Sequence, residues 1–242
     1  MAIDESAELL SRQYRALLDF PRSLTSPLWP NPTPANPAES LPELEFFAKI
    51  NRDDGTKLAT IDPANERHGM YLARMQIGTA TQDVFVKFAA RYHEDAHRLL
   101  AAQHPPLAPA LHFCKRIIGD MYMVIMEYIP KSRGRPLSSL LPRQFSSEAV
   151  DLGLTKALNL LHEQDLVFGD LRETNVLYLP EGEGRVLLVD FDGVGQDGVD
   201  RYSASLNPKA GLGVKKWQIM EGSHDEENLR RLMERLSARA PQ

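Results

Sequence analysis

Cysteine is nearly missing from this chain of 242 residues: there is one, Cys114, in the apolar stretch ALHFCKRII. A single thiol excludes an internal disulfide framework and a cysteine-based zinc site, and its setting predicts a buried thiol that packs. Long apolar runs are missing as well. No segment approaches the roughly 18 uninterrupted apolar residues that a membrane-spanning helix needs. The opening residues, MAIDESAELL, are acidic and lack the basic start and apolar core of a secretory signal, so a cytosolic or nuclear protein with no membrane partner is expected. Nor is there an excess of basic charge. With a formal net charge of −5 and a pI near 5.8, the chain has no overall basic field, and nucleic acid is not expected as its partner. No internal repeat is visible.

What is there is a soluble globular composition, 43% hydrophobic and 25% charged, long enough for one large domain or two small lobes that share a cleft. Leu9, Leu10, Tyr14, Leu17 and Leu18 stand at helical spacing, which predicts an amphipathic helix over 5–20 that ends at Pro21. Seven prolines between Pro21 and Pro42 then predict an extended tether.

Strand signals follow. HGMYLARMQI, a turn near GTATQ, and DVFVKFA come first, and the alternation in VFVKF puts Lys87 on the opposite face from Val84 and Val86. A short helix is predicted over 94–102, then strands LHFCKRII and MYMVIMEYI around a turn at Gly119 and Asp120. Beyond Pro130 the pattern turns helical. Val150, Leu154, Ala157, Leu158 and Leu161 line one face of a helix over 146–165, with Ser146 and Ser147 as candidate caps. The polar segment GDLRETN then interrupts two apolar runs. It is followed by a predicted hairpin, NVLYL–PEGEG–RVLLVDF, and a polar helix over about 224–238.

A lysine on a strand or an aspartate before a turn says little by itself. The order says more: Lys87 in VFVKF, an acid pair at Glu94 and Asp95, MEYI at 126–129, Asp170 and Asn175 in one loop, and Asp190 in DFDG. This order resembles the protein-kinase-like superfamily across roughly residues 60–195. VFVKF is similar to the strand that carries the ATP lysine, MEYI to the hinge, FGDLRETN to the catalytic loop, and DFD to the metal-binding D-F-G.

The resemblance implies an α+β, two-lobed fold. Residues 1–45 would be the N-terminal helix and tether, 46–130 a lobe of antiparallel sheet with one helix, and 131–242 a reduced, mainly helical lobe. It also implies ATP and Mg²⁺ as cofactors and transfer of the γ-phosphate to a hydroxyl acceptor, on a protein or a small molecule. Lys87 would hold the α- and β-phosphates, paired with Asp95 or Glu94; Asp95 is favoured because it stands four residues before Leu99. Met126 would be the gatekeeper, with the backbone from Glu127 to Ile129 facing adenine. Asp170 would be the base, Arg172 a γ-phosphate contact, and Asn175 and Asp190 the metal ligands.

The chain also departs from the family. Gly69 stands nearly alone where a glycine-rich loop belongs, and Gly169 replaces the arginine that anchors a phosphorylated activation loop. The form GDL is similar to the loops of aminoglycoside phosphotransferases and RIO-type kinases. Asp192 replaces the last glycine of D-F-G, the A-P-E motif is missing after 193, and Asp225 resembles the helix aspartate that braces the catalytic loop. The chain is most similar to short, atypical, fungal-type kinase-like proteins. A pseudokinase that binds a protein partner, through its N-terminal helix and tether, is the alternative expectation.

Overall fold

The computed structural model describes residues 41–50, 57–58, 69–117, 121–204, 206 and 211–239. The expected helix over 5–20, the proline-rich stretch ahead of Leu41 and the turn at Gly119 and Asp120 lie outside the described residues. The chain divides into two compact units, Met1–Val86 and Lys87–Gln242.

The first unit is antiparallel sheet. Strand β1 (Leu44–Ile50) pairs with β2 (Lys57–Leu58) on one side and with β3 (Gly69–Ile77) on the other. No strand is expected over β1 from the sequence, although Leu44, Phe46, Ala48 and Ile50 are apolar at every second position and all four are buried. A bulge falls between Phe46 and Ala48, and Lys49 beyond it is buried as well. Gly69 is the first residue of β3, and the connection over 51–68 is described only at Lys57–Leu58. Gly78, at a positive φ of 61°, turns the chain into β4 (Ala80–Ala89). Val84 and Val86 are fully buried while Phe85 and Lys87 are partly exposed, which is the predicted alternation.

The second unit opens at Lys87. Helix α1 (Glu94–Ala101) is capped by His93, whose Nδ1 accepts from the Ala96 N–H at 3.2 Å. Strands β5 (Leu111–Arg116) and β6 (Tyr122–Glu127) form an antiparallel pair. Cys114 is buried on β5, and burial pushes its thiol up to about 12, so it packs as an inert side chain.

After β7 (Arg135–Pro136), helix α2 (Ser147–His162) begins at Ser146, whose hydroxyl accepts from the Ala149 N–H at 3.1 Å. It buries the five predicted residues, Val150, Leu154, Ala157, Leu158 and Leu161, and full burial of each leucine stabilises by about 1.5–3 kcal/mol. A two-residue strand, β8 (Leu166–Val167), leads into the polar loop. The predicted hairpin is β9 (Val176–Leu179) with β10 (Arg185–Leu188), and β9 also pairs with β7. Helix α2 lies so close to this hairpin that a Cβ on Gly153 would stand 2.5 Å from Val186 Cγ2, so only glycine fits there. Strand β11 (Gly195–Gln196) pairs with β8, and helix α3 (Gly222–Ala238) closes the unit with Asp225, Asn228, Leu232 and Leu236 on its buried face.

Candidate functional site

The antiparallel pairing of Val167 with Gly195 brings two segments side by side: Phe168–Asn175 after β8, and Asp190–Val194 before β11. Backbone bonds fix them further, since the Val189 N–H donates to the Asn175 carbonyl at 3.0 Å. The first segment is braced from below by α3. Asp225 is completely buried, and its carboxylate accepts from the Phe168 N–H at 2.6 Å and the Gly169 N–H at 3.0 Å. His162 Nε2, at 3.3 Å, faces the same carboxylate, and that hydrogen bond chiefly raises the imidazole above its ordinary 6.5. A buried carboxylate is stable only with such donors around it.

Within the loop, the Asn175 amide donates to both the Asp170 carbonyl, at 2.9 Å, and the Asp170 carboxylate, at 2.8 Å. Arg172 Nη2 lies 2.9 Å from the same carboxylate. Burial is the main cause that raises the Asp170 carboxyl above its ordinary value of 3.8, with Asp190 adding to it and Arg172 and Asn175 opposing. Arg172 Nε is buried with no hydrogen-bond partner among the described residues. Glu173 pairs with Arg239, just beyond the end of α3, at 2.7 Å, and with Arg235 of α3 at 3.6 Å, contacts that sequence reasoning missed.

Gly169 has a structural reason. Its φ is +75°, and a Cβ there would meet the Gly193 carbonyl at 2.7 Å and Met220 Cε at 2.6 Å. An arginine at this position would have no room.

The second segment carries Asp190 in the left-handed region, at φ 73°, ahead of a single 3-10 turn, Phe191–Gly193. Phe191 is fully buried, stacked on His97 of α1 with centroids 4.6 Å apart and edge-on to Phe168 at 5.7 Å. His97 is held between the Tyr92 hydroxyl, at 2.6 Å, and the Pro109 carbonyl, at 2.7 Å, and burial lowers its imidazole to about 4. Phe168, Phe191, His97 and Tyr92 thus form an aromatic support that sequence reasoning did not find. Tyr92 and His97 are neighbours in the chain, but Phe168 and Phe191 come from distant segments.

Lys87, with 12% of its side chain exposed, points its ammonium at two carboxylates of this turn: Asp190 at 2.5 Å and Asp192 at 2.7 Å. Burial pushes the ammonium down, and the two carboxylates more than offset it, so its pKa stands above 10.5. The expected acid of α1 is not the partner. Glu94 binds Arg98 one turn along its own helix, at 2.7 Å, and Asp95 is exposed. Helix α1 begins after His93, whose N–H donates to the Phe191 carbonyl at 3.2 Å, and both acids stand in its first turn.

Met126 is buried in β6. The Glu127 N–H donates to the Ala110 carbonyl at 2.8 Å, and its carboxylate binds Arg133 at 2.5 Å, while Ile129 is partly exposed just beyond the strand. Among the described residues no three His, Cys, Asp or Glu side chains converge as a metal cluster. The oxygens at hand are the Asp190 carboxylate and the Asn175 amide oxygen, the amide nitrogen being committed to Asp170. One carboxylate and one amide suit Mg²⁺, which keeps most of its shell for water and phosphate oxygens.

No protein-family model matches the chain. Over 116 residues it is 30% identical to the meiosis-specific serine/threonine-protein kinase MEK1 of Saccharomyces cerevisiae, a match that covers 44% of this chain and 22% of that kinase. The chain therefore spans only about a fifth of the length of this curated relative. Among solved structures it is similar to the Cydia pomonella granulovirus kinase PK-1, with a TM-score of 0.53 and 15% identity over 79% of this chain and 67% of that one. At such identity the likeness is one of fold. The fold is the α+β, two-lobed fold of the protein kinases.

Proposed function

We propose that this chain is an ATP-dependent phosphotransferase of the atypical protein-kinase-like class, which transfers the γ-phosphate to a hydroxyl of a protein or a small molecule. The observation that carries this reading is the Asp170–Asn175–Arg172 network beside the Asp190 turn that holds Lys87. The residues present fit the groups that the reading needs. Lys87 and the unpartnered Arg172 Nε are cationic donors for phosphate oxygens, and Asp190 and Asn175 are hard oxygen ligands for Mg²⁺. Bound Mg²⁺ would neutralise charge on the phosphates.

The chain's own residues supply the rest. Met126 bounds the adenine pocket, and because the Glu127 N–H is spent on Ala110, adenine recognition falls to the Glu127 carbonyl and the Ile129 backbone. Asp170, its carboxylate steadied by Asn175, accepts the acceptor hydroxyl's proton as the oxygen–phosphorus bond forms. The bond from γ-phosphorus to the β,γ-bridging oxygen breaks, and ADP leaves with that electron pair. Arg172 meets the charge on the transferring group. Raised above its ordinary value by burial, Asp170 is a better proton acceptor than an ordinary aspartate. The close fit at Gly169 goes with a GDL loop of the aminoglycoside-phosphotransferase or RIO kind, with no anchor for a phosphorylated activation loop.

One observation favours the second reading, a nucleotide-binding or protein-docking pseudokinase: neither Glu94 nor Asp95 pairs with Lys87. The two readings separate on Asp170→Ala. If the chain is a phosphotransferase, the variant keeps its Mg·ATP affinity while transfer falls by about 10²–10⁴-fold, and phosphorus NMR of the wild type shows ADP and a phosphorylated acceptor. Release of AMP or pyrophosphate contradicts γ-phosphoryl transfer, and wild-type binding without any transfer across protein and metabolite fractions supports the pseudokinase.

A further inference from the structure

We infer that Asp192 is the positioning carboxylate of Lys87, doing from the Phe191–Gly193 turn the work that an acid of α1 was expected to do, and so freeing Asp190 for a metal ion. For its role in binding, this inference rests on the phosphotransferase reading. The pairing itself does not.

Three observations converge on it. Lys87 lies 2.5 Å from Asp190 and 2.7 Å from Asp192, so one ammonium bridges two residues of the same turn. The left-handed Asp190 backbone followed by a 3-10 turn brings these carboxylates, two positions apart, to one point. The turn is also immobilised: Phe191 is stacked on His97 and edge-on to Phe168, and a Cβ on Gly193 would stand 3.1 Å from Asp170 Cβ and 3.3 Å from the Phe168 carbonyl. Packing of this kind locks the turn that carries the carboxylate.

The electrostatic logic distinguishes the two acids. A cation at Asp190 competes with Lys87 for the same carboxylate. With Asp192 present, the ammonium keeps a counter-ion when Asp190 turns to the metal, and it stays in place for phosphate. Without Asp192, a partly buried ammonium would have to choose between losing its only partner and blocking the metal ligand. Glycine at this position, as in D-F-G, offers no such counter-ion.

The test is a double-mutant cycle read twice. In the first reading, melting temperatures are measured without nucleotide for wild type, Lys87→Met, Asp192→Asn and the double variant. The expected result is non-additivity of about 2–6 °C, with Asp192→Asn nearly silent once Lys87 is gone. Additive shifts, or coupling of Lys87 to Asp95 or Glu94 in the matching cycles, overturn the inference. In the second, calorimetry with Mg·ATP is expected to show about tenfold weaker binding for Asp192→Asn, near-normal binding for Asp192→Glu, and no further loss in the Lys87→Met background. An equal loss in that background would mean that Asp192 acts on the metal rather than through the lysine, and would overturn it. If the wild type binds no Mg·ATP, the phosphotransferase reading fails, and the first cycle still decides whether Asp192 holds Lys87.

Discussion

Helix α1 and the Asp190–Gly193 turn divide the work around Lys87 differently from the way resemblance to protein kinases assigned it. The helix was expected to contribute charge, through Asp95 or Glu94, and the turn a single metal ligand. Instead the inner face of the helix contributes His97, neutral and stacked on Phe191, while the turn contributes both carboxylates. The difference has a simple origin. The Phe191 carbonyl accepts from the His93 N–H, so the helix starts at the turn itself, and its first-turn acids stay outside the aromatic contact. A role that depends on reach passes to whichever element is close enough.

This contrast can be broken from either side, and the effects should rank accordingly. Phe191→Ala removes the side chain on which His97, Phe168 and Tyr92 all pack, and should lower stability by about 3–5 kcal/mol in denaturant titration. A loss below 1 kcal/mol would mean that the helix and turn are not joined through this ring.

A pH series tests the helix side. The His97 ring is held neutral in the fold, its ordinary 6.5 lowered to about 4 by burial, so the unfolded chain takes up this proton first as pH falls. The His97 contribution is whole above pH 6.5 and is lost between 6.5 and about 4, amounting to about 2–4 kcal/mol. His97→Gln should flatten the acid limb of the stability curve in that window. The smallest effect belongs to the acids of α1: Glu94→Gln and Asp95→Asn should each change stability by no more than about 0.5 kcal/mol and leave Mg·ATP binding unaltered.

Much of this was legible in the sequence. The strand alternation around Lys87, the capped helix from Ser146 and the hairpin after Asn175 all rest on local periodicity and turn chemistry, and the structure has them at the expected places. Asp225 was legible through the resemblance, and its carboxylate does receive the loop's two N–H groups. Strand β1 went unread although Leu44, Phe46, Ala48 and Ile50 carry the two-residue alternation of a strand. The partner of Lys87 was not legible. It lies 103 and 105 residues away for Asp190 and Asp192, and the choice among four nearby acids depends on a left-handed residue and one backbone hydrogen bond. The Gly169 substitution was visible as a departure, but its reason, the Gly193 carbonyl 2.7 Å from where a Cβ would be, exists only in three dimensions.

The central claim is that Asp190 and Lys87 form a nucleotide–metal site, and the most direct test is the melting temperature of the full chain with and without millimolar Mg·ATP, repeated for Asp190→Asn. A ligand that binds only the folded state stabilises it by about 2.7 kcal/mol at a hundred times its dissociation constant, or roughly 5–10 °C for a chain of this size. The account predicts such a rise for the wild type, dependent on Mg²⁺, and its loss in Asp190→Asn. No rise for the wild type, or an equal rise in both proteins, would contradict it.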